Sequence, residues 1–131
     1  MIPVPDLREL AHARLKDAKA MLGARRFDGA IYIVGYAVEM ALKARICRTL
    51  KWAAFPDTRK EFESFTSFRT HDLDVLLRLS GREVAIRAKC LDQWSIISSW
   101  NPELRYRKPG TATQAYGASM VYSAEKLLRA L

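Results

Sequence analysis

The sequence predicts an all-α fold, an antiparallel bundle of four to five helices forming a single domain over residues 1–131. Apolar residues recur at spacings of three and four in several separate segments, and no useful length of chain alternates apolar with polar residues. Half of the residues are hydrophobic, enough to build a core without disulfides or metal.

The first helix is expected from Asp6, where Leu7, Leu10, Ala11, Leu15, Ala18, Met21 and Leu22 make one stripe. Asp6 and Glu9 have capping-box spacing after Pro5, and Gly23 is placed to stop the helix. The second is expected from Asp28, a good N-cap residue, to about Leu50. It is apolar on most sides and reads as the buried central helix. Residues 52–70 have no clean period and contain Pro56, which predicts a connection with at most a short helical turn. A third helix opens at Thr70, carries Asp72 and Asp74 in its first turn where the helix dipole favours acids, and stops at Gly81. Ser80 and Glu83 repeat the capping-box spacing and predict a fourth helix that ends at Asn101 and Pro102. Its expected face is Val84, Arg87, Leu91, Trp94 and Ser98, with Ile86, Cys90 and Ile97 beside it. A fifth helix from about Ala112 gathers Met120, Val121, Ala124, Leu127, Leu128 and Leu131.

Net charge is +8, from 22 Lys and Arg against 14 Asp and Glu, which favours anionic partners such as nucleotides, RNA or an acidic protein surface. Cys47 and Cys90 have neither metal-ligand nor Cys-x-x-Cys spacing and are expected to be reduced packing residues. The start "MIPVPDLREL" has no basic region leading into an apolar run, so neither a secretory signal nor a transit peptide is expected, and the cytoplasm is the expected compartment. The one candidate for a membrane span, Gly29 to Ile46, is interrupted by Glu39 and Lys43, so no membrane is expected. Ser98 and Ser99 lack a nucleophile turn and a His/Asp arrangement. No Gly-rich phosphate loop, metal-ligand cluster or catalytic carboxylate pair is present, and neither a metal nor a cofactor is expected.

Within the second helix, Asp28, Tyr32, Tyr36, Glu39 and Lys43 fall on a narrow arc with Gly35 at its edge. An exposed Glu-to-Lys pair one turn apart contributes only about 0.2–0.5 kcal/mol, too little to explain charges on a buried helix. The line is either the solvated face of the helix or it faces a cleft or partner subunit. In the second case Gly35 permits close approach and the tyrosines offer flat surfaces with hydroxyl ends. A second cluster, "WNPELRYRKPGT", interleaves Trp100, Arg105, Tyr106, Arg107 and Lys108. Guanidinium groups fork onto phosphate and aromatic rings stack on bases, so this is either an anion-binding surface or a solvated basic loop with its rings against the bundle. His71, at the start of the third helix, has a local packing role or a catalytic one that needs an arginine from elsewhere. His12 reads as a surface or packing residue.

The segment "GARRFDGAIYIVGYAVEMALKARI", followed by "HDLDVLLRLSG", resembles the HEPN domain family over residues 23–81. The matching residues are Phe27, Asp28, Ala30, Glu39, Leu42 and Lys43, then His71, Asp72 and Leu73. The resemblance implies a bundle around two long antiparallel helices, commonly a homodimer, and in many members a toxin and antitoxin pairing with a small nucleotidyltransferase. Many members are metal-independent ribonucleases that carry an arginine followed at short range by a histidine; others are binding modules. This chain departs from that pattern, because Arg8 is too close to His12 and Arg69 too close to His71. The expected function is nucleotide or RNA binding alongside a nucleotidyltransferase-type antitoxin, through Tyr36, Glu39, Lys43, Trp100, Tyr106 and Arg107. The alternatives are a ribonuclease using His71 with Arg105 or another arginine, and a dimerisation scaffold whose polar line is a packing seam.

Overall fold

The computed structural model describes residues 1–131 and is built from six α-helices: α1 (Val4–Gly23), α2 (Phe27–Leu50), α3 (Leu73–Ser80), α4 (Glu83–Lys89), α5 (Leu91–Ile97) and α6 (Gln114–Ala130). Two short strands, β1 (Ile2–Pro3) and β2 (Ala54–Phe55), pair antiparallel with Ile2 opposite Phe55. The all-α expectation holds. No helix is long and apolar enough to cross a membrane.

The helix α2 is the axis of the fold. Eleven of its residues are buried, from Ala30 to Cys47, and it packs against α1, α3 and α6. The stripe of α1 contributes Leu7, Ala11, Leu15 and Ala18, and α6 contributes Met120, Val121, Ala124 and Leu127. Cys47 and Cys90 are free and buried, and burial raises the Cys47 thiol above its ordinary range.

Local signals misplaced several helix ends. The capping box expected at Asp6 and Glu9 does not form: Pro3 holds the N-cap position and α1 begins at Val4, with Pro5 in its first turn, where a missing N–H costs nothing. Gly23 remains helical, and the turn is made by Arg25 in the left-handed conformation (φ 61°). Arg26, not Asp28, precedes α2. Asp72 rather than Thr70 caps α3, its carboxylate accepting the N–H groups of Asp74 and Val75. Gly81 stops α3 as expected, at φ 73°.

The expected fourth helix is two helices broken at Cys90 (φ −135°). The half α5 packs on α6 while α4 lies against α3. Its expected inner face was also rotated. Val84 and Leu91 are exposed, and Ile86, Cys90, Trp94 and Ile97 carry the burial.

Candidate functional site

The polar line of α2 is not a solvated face, and each part of it is covered by a different segment of the same chain. At its N-terminal end the Asp28 carboxylate accepts the N–H of Gly110 (2.7 Å) and of Ala112 (3.0 Å) and the hydroxyl of Thr111 (3.4 Å). Asp28 is therefore a clasp for the loop before α6, not a helix cap. Gly110 sits at φ 86°, a conformation that suits glycine and that aims its N–H at the carboxylate. The Gly110 contact is the main cause that holds the Asp28 pKa below the ordinary carboxylate range.

One turn on, Tyr32 and Tyr36 meet edge to face with centroids 5.4 Å apart and hydroxyls 3.4 Å apart. Trp100 packs edge to face on Tyr36 at 4.9 Å, and its indole N–H donates to the Tyr32 carbonyl (3.1 Å). Gly35 makes this possible, since a Cβ there would fall 2.0 Å from the Trp100 ring. The close approach expected at Gly35 is thus made by Trp100 of the same chain. Being buried, Trp100 packs the bundle and is not the open stacking surface the sequence suggested. Burial first, and the Tyr32 contacts second, push the Tyr36 phenol up to about 12.

The charged end of the line is Glu39, only 1% exposed. Its carboxylate accepts from Lys43 Nζ (2.7 Å) and from His71 Nδ1 (3.0 and 3.1 Å to the two oxygens). A buried carboxylate needs such partners, because desolvation costs more than one ion pair in poor geometry returns. The Lys43 ammonium also lies 5.3 Å from the centre of the Phe55 ring. A carboxylate only accepts, so His71 Nδ1 carries the hydrogen and Nε2 has no protein partner. His71 itself stays 59% exposed at its side chain. It comes from the extended turn just before the Asp72 cap, so it reaches across 32 residues of sequence instead of packing locally.

Two basic cavities flank this line. One, of about 340 Å³, is lined by Lys43, Arg69, Thr70, His71 and the rings of Phe62 and Phe68. The other, of about 470 Å³, is lined by Arg25, Arg26, Tyr32, Arg105 and Arg107 beside Phe27. Arg105 lies 4.6 Å over the Tyr106 ring, and Tyr106 is 73% exposed. The expected pair of His71 and Arg105 is not assembled: each lines a different cavity. The arginine beside His71 is instead Arg69. No group of three or more His, Cys, Asp and Glu side chains converges as a metal site.

Sequence reasoning missed Arg25, Arg26 and Arg69 as members of these cavities. The first two precede the Phe27-Asp28 phrase directly, a signal that adjacency alone could have supplied. Arg69 had none, because its place depends on the irregular 56–70 segment.

No family model matches the chain, and neither a curated protein nor a solved structure matches it.

Proposed function

We propose that this chain is a HEPN-like protein that binds single-stranded RNA or a nucleotide in the two basic cavities at the ends of the covered Asp28–Lys43 line of α2. The observation that carries the reading is the pair of basic cavities, one holding Lys43, Arg69 and His71 and the other Arg25, Arg26, Arg105 and Arg107, at the two ends of a tyrosine-lined stripe. Cations at both ends suit phosphates, and the exposed Tyr106 ring beside Arg105 suits a stacked base. The reading keeps Tyr36, Glu39 and Lys43 as the frame of the site and gives ligand contact to Arg69, His71, Arg105, Tyr106 and Arg107. In keeping with the family resemblance, it includes a homodimer and a nucleotidyltransferase-type antitoxin as partner, which co-purification with the neighbouring gene product would test.

Fluorescence anisotropy with a labelled RNA oligonucleotide over a salt series tests the binding. Arg105→Ala and Arg69→Ala are each expected to weaken binding across sequences and to lower the salt slope by about 1. Binding unchanged in both variants sinks the reading.

A second reading is favoured by one contact, the Glu39 carboxylate on His71 Nδ1. A carboxylate that fixes the tautomer leaves Nε2 available as a base, as metal-independent RNA cleavage requires, with Lys43 and Arg69 as the nearby cations for the developing phosphorane charge. Cleavage by clean protein in a chelator, lost in His71→Ala with the fold intact, supports it; no cleavage rejects it.

A further inference from the structure

A third basic cavity lies on the far side of α2. It has a volume of about 380 Å³ and is bounded by α1, the C-terminal half of α2 and the end of α6. Arg8, His12, Arg45, Arg48 and Arg129 line it, its other side chains are those of alanine and leucine, the last residue Leu131 among them, and no acidic side chain lines it. Arg48 is nine residues from Glu39, two and a half turns, which sets it about 180° around the helix from the polar line. The two surfaces are therefore separate.

The cations here are poorly compensated. Arg8, Arg45 and Arg48 have no acidic side chain within ion-pair distance, and only Arg129 has such a partner, Glu125 at 3.1 Å. Arg45 is half-buried, and its Nε is shielded from solvent with no hydrogen-bond acceptor. Burial, followed by repulsion from Arg82 and Arg48, lowers the pKa of its guanidinium. Gathering like charges around an apolar floor of Ala11, Ala44 and Leu128 costs stability, and a bound anion would offset that cost.

We infer that this cavity is a binding site for a compact polyphosphate, either inorganic pyrophosphate or the phosphate tail of a nucleotide. Guanidinium groups fork onto phosphate oxygens, and several of them converging on one cavity match a multivalent, compact anion. Apart from His12 the lining has no ring on which a base could stack, so the site suits the phosphates and not the base. This site is independent of the α2 polar line.

Isothermal titration of the full chain with pyrophosphate, and in parallel with ADP and AMP, tests the assignment. Pyrophosphate is expected to bind the wild type at low salt, and Arg45→Gln and Arg48→Gln are each expected to weaken it by about tenfold or more. Arg45→Lys keeps the charge but loses the fork and is expected to fall between. Lys89→Ala, an exposed position of α4 that lines none of the three basic cavities, is expected to leave pyrophosphate binding unchanged. ADP binding with the same arginine dependence, and tighter than AMP, assigns the nucleotide tail; pyrophosphate alone assigns the inorganic ion. Circular dichroism checks the fold, and Arg48, exposed at the rim, serves as the safe variant if Arg45→Gln unfolds. Wild type that does not bind pyrophosphate, or binding that survives Arg48→Gln or falls equally in Lys89→Ala, overturns the assignment.

Discussion

Replacing Gly35 with alanine sets two effects of opposite sign against each other. Helix propensity alone favours alanine in mid-helix by about 0.8–1.0 kcal/mol. Against this, the new Cβ would lie 2.0–2.1 Å from three atoms of the Trp100 ring, far inside van der Waals contact. The ring cannot yield by a few tenths of an ångström, because it is 3% exposed, wedged on Tyr36 and bonded to the Tyr32 carbonyl. Expelling a buried aromatic residue forfeits contacts of the kind whose loss costs about 3–5 kcal/mol in truncations. The net expectation for Gly35→Ala is a loss of about 2–4 kcal/mol. Urea unfolding followed by far-ultraviolet circular dichroism measures it, with tryptophan emission reporting whether Trp100 moves into water. In a Trp100→Ala background the clash is gone, and Gly35→Ala should then stabilise by up to about 1 kcal/mol. A Gly35→Ala protein as stable as the wild type would refute the reasoning.

Glu39→Gln leaves the Lys43 ammonium, 13% exposed, without its counter-charge. It is expected to lose about 2–4 kcal/mol, somewhat less than a fully buried pair because Lys43 still reaches solvent, whereas the joint change to Glu39→Leu with Lys43→Met should recover most of the loss. Denaturation midpoints of the single and double variants decide this, and equal losses would contradict it. Asp28 has a lowered folded pKa, so the stability it contributes is present above the ordinary aspartate value of about 3.9 and is lost as pH falls through its folded value. The stability gap between wild type and Asp28→Asn should therefore be full at neutral pH and close in acid below about pH 4; a gap that persists undiminished in strong acid would exclude the clasp as its source.

Legibility in the sequence divided along physical lines. The helices α1 and α6 were readable because their burial is periodic, and periodicity survives ignorance of the partner; α2 was readable as a long run without proline that is apolar on most sides. The break at Cys90 was not, since neither proline nor glycine marks it and the two halves pack on different partners, α4 on α3 and α5 on α6. Helix caps misled where a residue suited to capping had a long-range use: the Asp28 side chain reaches 82 residues away to Gly110, and no local rule sees that. For the site, the arc from Asp28 to Lys43 was visible as an anomaly of charge on a greasy helix. That the arc is roofed by Trp100 and closed by His71 depends on segments 57 and 28 residues beyond its end, beyond the reach of spacing arguments.

The clasp at Asp28 separates where the Arg105–Pro109 stretch is held from what it says. Two of the three groups bound by that carboxylate are backbone N–H groups, which every residue type but proline provides. The side chains at positions 105 to 109 can therefore be exchanged while Gly110 and Ala112 keep the loop moored to α2. Ligand preference on this side of the molecule is free to drift, or to be rewritten by design, without a new loop having to be folded.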